Sequence, residues 1–326
     1  MAEMSAKFVT VAGRTIRVTN LDRVMYPADG ITKAEVLHYL LAAAPAIGAR
    51  LHDRPLTRKR WPHGVREQAF FEKNLPAGAP DWIDTVTLGR DPVRYPVMRD
   101  RAPAAALAWF AQLGVLEFHV PQWRCTLSGT PLPPDQVVVD LDPGPPAGLN
   151  ECSEVALAVR DAVTELGLPC HPVLSGSKGM QLYLPLAKEA PLAKEAPLAK
   201  EAPLAKEAPP AKDAPSTNTD GSHPGRQAAE HTAEFARTLA VALEQARPAL
   251  VVSRMAKTLR PGKVLLDWSQ NNVAKTTIAP YSLRGTDHAH VATPITWEEV
   301  ESGELHQFGP DEVLARLDAL GDLLPV

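Results

Sequence analysis

Apolar and polar positions along the chain change period several times, and each change marks an element. Lys7–Val11 and Thr15–Val18 alternate around Gly13, which predicts a β-hairpin. From Asn20 to Ile31 the alternation is lost and the chain reads as a loop. Thr32-Lys33-Ala34-Glu35 then has capping-box spacing ahead of the helical periodicity of Val36–Ile47. A second, largely buried helix is predicted over Ala104–Leu116, a strand over Val137–Leu141 and an amphipathic helix over Val155–Leu166. Pro172–Leu174 and Gln181–Leu186 read as strands flanking a glycine turn. A helix follows at Arg226–Gln245, then strands at Leu250–Ser253 and Lys263–Trp268 and a helical tail at Asp311–Leu320. Strands alternating with helices predict an α/β (α+β) core within a single domain over 1–326.

One stretch has no such period. From Leu186 to Pro215 the unit Leu-Ala-Lys-Glu-Ala-Pro runs four times in register, followed by a degenerate fifth copy, Pro210 to Pro215. A proline every six residues forbids a continuous helix, and the alanines are too small to offset chain entropy by burial. The segment 187–224 is therefore expected to be a disordered insert, whose length costs little in loop closure.

At 326 residues and 45% apolar content the chain can bury a substantial core. Its net charge of −4 does not advertise a polyanion binder, but the local charge does. Arg54, Arg58, Lys59, Arg60, His63 and Arg66 fall within thirteen residues around Trp61, and Lys257, Arg260 and Lys263 precede Asp267. The three cysteines have neither C-x-x-C spacing nor a partnering His pattern, which supports neither a disulfide framework nor a zinc site. With no secretory signal and no apolar run of membrane-spanning length, a cytoplasmic, soluble protein is expected.

The densest chemistry lies at the end of the run Val137-Val138-Val139-Asp140-Leu141-Asp142-Pro143-Gly144. Strand alternation sends Asp140 and Asp142 to one face. Two such carboxylates in a half-buried site share a proton or hold a cation, and Mg²⁺ or Mn²⁺ is the usual solution. Asp267 ends a second apolar run, Lys263–Trp268. Alone, the first pair reads equally as a surface turn and Asp267 as a strand cap. Together, three carboxylates at two strand ends suit a two-metal site, so phosphoryl transfer leads. Ser175-Gly176-Ser177-Lys178-Gly179 adds a glycine turn with a hydroxyl and a cation, though it lacks P-loop order.

These segments together resemble the polymerase domain of bacterial DNA ligase D, a branch of the archaeo-eukaryotic primase superfamily that serves non-homologous end joining. The resemblance rests on Thr57–Pro62, Phe70–Lys73, Leu116–Trp123, Val139–Gly144, Ser175–Gly179 and Met255–Gly285, and it spans Val18 to the C-terminus apart from the repeats. It implies a primase-like core of two β-sheets flanked by helices. It also implies Asp140, Asp142 and Asp267 as the catalytic, metal-binding triad for Mn²⁺ or Mg²⁺. His119, Ser175, Lys178, Gln181, Arg260, Gln270 and Arg284 would then line the nucleotide site. Lys59 and Arg60 would meet DNA, and Phe70 and Phe71 would stack on template bases. Asn20, Arg23 and Lys33 match a pocket for a downstream 5′-phosphate, with Arg23 where a lysine is common.

By residue type alone these positions have plainer readings. An adjacent Phe pair is ordinarily one core and one half-exposed residue, His119 a core histidine, and Arg23 and Lys33 solvated. The family pattern also places a histidine at position 181, and Gln181 cannot become cationic. Weakened nucleotide binding or altered metal preference is the expectation there.

The implied activity is a template-directed nucleotidyltransferase that extends or fills DNA ends with nucleoside triphosphates, preferring ribonucleotides. A DNA-end-bridging module with little catalysis is the alternative, and a two-metal nuclease a third reading. No ligase Lys-x-Asp-Gly motif is present, so a separate DNA ligase and the Ku end-binding protein are the expected partners.

Overall fold

A computed structural model describes residues 6–89, 92–100, 103–186 and 224–325, with side chains from 227 onward in the last segment. The Leu-Ala-Lys-Glu-Ala-Pro repeats lie outside the described residues. Two sheets organise the rest, flanked by helices, as expected for a primase-like mixed α/β core. The larger has six strands in the spatial order Val251–Val252, Val264–Asp267, Gln136–Pro143, Met180–Pro185, His171–Leu174 and Thr293–Pro294. The smaller has four, in the order Thr277–Ile278, Val115–Val120, Thr57–Arg60 and Phe70–Glu72.

The apolar run Val137–Leu141 becomes the central strand Gln136–Pro143 because it is covered on both faces. Val137, Val138, Val139 and Leu141 are all buried. Helix α4 (Leu149–Thr164) packs on this sheet, as does α5 (Pro224–Ala246). Asn271 is buried where the neighbouring strand Val264–Asp267 has ended. Its side chain accepts from the Val138 amide at 2.8 Å and donates to the Val138 carbonyl at 2.7 Å, so the strand's backbone stays paired. The two sheets are tied where the Tyr183 hydroxyl donates to the Ile278 carbonyl at 3.1 Å.

Several boundaries differ from the sequence expectation for identifiable reasons. The helix expected over Val36–Ile47 is two helices, α1 (Lys33–Ala42) and α2 (Ala44–Leu51), because Pro45 cannot continue the hydrogen-bond ladder of α1. The capping box is present: Thr32 accepts from the Glu35 amide, and Glu35 accepts from the Thr32 amide at 2.7 Å. The helix expected over Ala104–Leu116 is α3 (Ala104–Gln112), after which Gly114, at φ +79°, turns the chain into the strand Val115–Val120. The loop Asn20–Ile31 contains a short strand, Val24–Tyr26, paired with Ile31–Thr32.

The smaller sheet was largely illegible, since Thr57-Arg-Lys-Arg60 has no apolar alternation. Arg58 is nevertheless fully buried, donating to the Asn74 carbonyl at 2.7 Å with its guanidinium 5.2 Å from the Phe110 ring centre. The hairpins Thr85–Leu88/Val93–Pro96 and Trp123–Cys125/Pro131–Pro134 enclose a second small core of Val86, Leu88, Tyr95, Val97, Trp123 and Cys125. Helices α6 (Trp297–Ser302) and α7 (Pro310–Leu320) complete the fold. All three cysteines are free and buried. Among the described residues, no helix is long and apolar enough to cross a membrane.

Candidate functional site

Strand register builds the site. On the central strand Asp140 pairs with Asp267 on one side and Gln181 on the other. The three side chains therefore form one row across the sheet, with directly opposed Cβ atoms about 5 Å apart. Asp142 lies two residues on, on the same face. Burial, then Asp267 and Asp142, push the Asp140 carboxyl up to about 7 against the hydrogen bond from Gln181. Such a row requires positive charge or a shared proton.

Each carboxylate is held by its own donors. Gln181 Nε2 donates to Asp140 Oδ1 at 3.2 Å, and Gln181 Oε1 lies 3.2 Å from the Tyr183 hydroxyl, whose one proton it shares with the Ile278 carbonyl. Gln181 is thus buried against Asp140 rather than open to a phosphate, and it orients a carboxylate. Lys178 Nζ lies 3.1 Å from Asp142 Oδ1 and Arg260 Nη1 3.2 Å from Asp142 Oδ2. Asp267 accepts from the Ser269 amide at 2.9 Å and from Gln270 Nε2 at 3.1 Å. Ser269 Oγ bridges Asp267 to Lys275 Nζ. In these rotamers no three His, Cys, Asp or Glu side chains among the described residues converge as a metal-ligand group. Hard carboxylate oxygens in a row that favours a cation fit Mg²⁺ or Mn²⁺ by donor chemistry, once Asp142 and Asp267 turn from their present partners.

The glycine turn closes over this row. Ser175 is buried, and its Oγ accepts from the Ser177 and Gly179 amides, each at 3.2 Å. A Cβ on Gly179 would sit 2.1 Å from the Leu141 carbonyl oxygen, so only glycine lets the turn approach the strand between the two acids. Lys178 projects from this turn to Asp142.

Opposite stand His119 and Arg284, joined by a residue that motif reasoning missed. Glu117 is 3% exposed; its Oε2 lies 2.9 Å from His119 Nε2, and its Oε1 accepts from the Gly285 amide at 3.0 Å and lies 3.6 Å from Arg284 Nε. Burial opposes its charge, but the His119 hydrogen bond, Arg284 and the Gly285 amide hold its carboxyl down to about 2. The i, i+2 spacing of Glu117 and His119 on a strand repeats that of Asp140 and Asp142, and that was the available signal.

The aromatic pair is not split between core and surface. Phe70 is 39% and Phe71 56% exposed, because both lie on the edge strand of the smaller sheet. The Phe71 ring meets His119 edge-on at 5.9 Å. Beside the pair, Arg60 lies over Phe70 and bonds Glu72 at 2.7 Å, and Lys59 lies over Trp61.

Lys33 is not solvated either. It is 7% exposed, donates to the Thr19 carbonyl at 3.0 Å, and is lowered to about 8 by burial and then by Arg23. Arg23 donates to the Pro62 carbonyl and lies 3.2 Å from His63 Nδ1. Asn20 adopts φ +52°, and its carbonyl accepts from the Arg23 amide at 3.1 Å. Tyr26 donates to the Arg284 carbonyl at 2.8 Å, and Asp29 accepts from the Ala289 amide at 2.6 Å and lies 2.7 Å from His288 Nδ1. The segment carrying Asn20, Arg23 and Lys33 is thereby fastened to the one carrying Arg284.

The family model for the primase-polymerase domain of LigD matches residues 32–212 and 222–324. The multifunctional non-homologous end joining protein LigD of Mycolicibacterium smegmatis is 44% identical over 95% of this chain. The corresponding DNA repair protein of Mycobacterium tuberculosis is 42% identical over 95%. The chain spans 35% and 36% of the length of these curated relatives. A solved polymerase domain of Mycobacterium tuberculosis ligase D in complex with DNA superposes with a TM-score of 0.79 at 42% identity, covering 95% of this chain and 96% of that one.

Proposed function

The chain belongs to the LigD primase-polymerase domain family, and on that premise we propose that it is a metal-dependent, template-directed nucleotidyltransferase. It extends or fills DNA ends during double-strand break repair by end joining. The observation that carries this reading is the register that sets Asp140 beside Asp267, with Asp142 two residues on and Lys178, Arg260 and Arg284 close by.

Asp140, Asp142 and Asp267 would hold Mn²⁺ or Mg²⁺. Such ions, when bound, neutralise the triphosphate and acidify the attacking primer hydroxyl. Gln181 and Gln270 hold two of the three carboxylates in place, so the protein contributes orientation before any ion arrives. Lys178 and Arg260, now on Asp142, are the cations that would meet phosphate oxygens if an ion were held by that carboxylate. Ser175 shapes the turn, and Glu117 fixes His119 and Arg284 on the far side of the site. Phe70 and Phe71 supply stacking faces for template bases, Lys59 and Arg60 flank them, and Asn20, Arg23 and Lys33 take a 5′-phosphate. Preference for ribonucleotides rests on family likeness. The names of the relatives support a place in end joining, and a DNA ligase and Ku are the partners that the resemblance implies for it.

The test is a gapped duplex labelled on the primer, incubated with Mn²⁺ or Mg²⁺, with and without ribo- or deoxyribonucleoside triphosphates. Extension that requires triphosphate supports the proposal. Shortening without triphosphate identifies a nuclease instead, and tight binding with no change in length identifies an end-bridging module.

A further inference from the structure

The N-terminal hairpin Lys7–Val11/Arg14–Val18 is held to the body by one face. Ile16 and Val18 are buried, Val9 and Val11 pack against the same core, and the Thr19 amide that follows bonds Gln112 of α3 at 2.9 Å. This inner face suffices to seat the hairpin. Its outer face has no packing role, yet it carries Phe8, 69% exposed and directly paired with exposed Arg17.

The charge is one-sided. Lys7, Arg14 and Arg17 are the ionisable residues of 6–18, with no carboxylate. Arg14 is spent on Trp82, 5.6 Å from its ring centre, whereas Lys7 and Arg17 make no ion pair among the described residues. The Phe8–Arg17 pair sits at the open end of the hairpin, which runs directly into Thr19 and Asn20. Arg17 is three residues from Asn20, so their Cα atoms are at most roughly 11 Å apart. Successive phosphates of a strand advance about 3.4 Å along a duplex axis. A strand whose 5′-phosphate sits at Asn20, Arg23 and Lys33 and which runs along the hairpin would bring its next nucleotides within reach of Arg17.

We propose that the outer face of this hairpin, carrying the Phe8–Arg17 pair, is a second DNA contact that grips the duplex downstream of the bound 5′-phosphate. Arg17 meets backbone phosphates, and Phe8 packs against the sugar or the terminal base pair. The surface would lengthen the footprint on the downstream arm without touching the reacting atoms. The proposal rests on the function read above, and deepens it by naming the arm of the substrate that is held.

The experiment uses the full chain with Phe8→Ser, Arg17→Glu and the double variant, none of which removes a packed side chain. Affinity is measured by fluorescence anisotropy on a 5′-phosphorylated gapped duplex with a long downstream arm and on a primer–template lacking that arm. Arg17→Glu is expected to weaken binding of the long-arm substrate about tenfold and lower its salt slope by about one. Binding and extension of the arm-free substrate should match the wild type. Equal loss on both substrates, or no loss on either, overturns the proposal, the latter leaving the face to a protein partner. If the wild type neither prefers the gapped substrate nor extends it, the polymerase reading fails instead.

Discussion

Lys33 is a buried ammonium whose neighbours are a carbonyl and the arginine Arg23, so it lacks the counterion that a phosphate would supply. With its value lowered to about 8, it is charged at neutral pH and loses its proton as pH rises through that value. The sign for binding follows. A 5′-phosphate favours the protonated form, so the preference for 5′-phosphorylated over 5′-hydroxyl gapped duplex is predicted to be full at pH 7 and to decline above about pH 8. The ratio of the two dissociation constants across that range measures it. Glu117 acts in the opposite sense, as a buried carboxylate held ionised by the groups it positions. Glu117→Gln should raise KM for the nucleotide about tenfold, the equivalent of about 1.4 kcal/mol, with a much smaller change in kcat, because His119 and Arg284 lose their common anchor. Steady-state kinetics with a melting curve separates this from unfolding. Residue types alone predicted a solvated Lys33 and gave no place to Glu117. Burial of a charge is decided by what packs around it, which a linear pattern does not contain.

Elements were most legible where one face is buried and the local chemistry agrees. The capping box at Thr32 and Glu35, the central strand ending in Asp140 and Asp142, and the strand ending in Asp267 all followed from pattern. Thr32→Ala should cost about 1 kcal/mol of stability, read as a shift in denaturation midpoint at constant slope, because it removes the acceptor for the Glu35 amide. The strand Thr57–Arg60 was not legible, since its burial comes from Arg58 lying on Phe110 rather than from apolar side chains. Nor was the separation of α1 from α2 or the strand after Gly114, where one proline and one left-handed glycine decide. Gly285 makes a similar demand: a Cβ there would lie 1.9 Å from the Trp61 ring. Gly285→Ala should therefore push the Arg284 segment off the smaller sheet and weaken nucleotide binding while leaving the larger sheet intact. Nucleotide affinity alongside near-ultraviolet circular dichroism would show both.

Across the whole molecule, the larger sheet supplies the acids and the glycine turn, and the smaller sheet supplies Glu117, His119 and the exposed Phe70–Phe71 edge. The segment 20–33 is clasped to the Arg284 segment by Tyr26 and Asp29. Pairing between strands distant in sequence creates the site, which is why the acids could be listed from the sequence but their row with Gln181 could not. Motif resemblance nominated the candidate residues, and the register supplied the geometry of Asp140, Asp267 and Gln181. The central claim is that the row of carboxylates performs nucleotidyl transfer while DNA is held elsewhere. The most direct measurement is single-nucleotide incorporation on a 5′-phosphorylated gapped duplex by Asp140→Ala, Asp142→Ala and Asp267→Ala, each with its DNA affinity determined in parallel. Loss of incorporation in all three variants, at wild-type affinity for the duplex, is the predicted result. Incorporation that survives in any one of them would contradict the account.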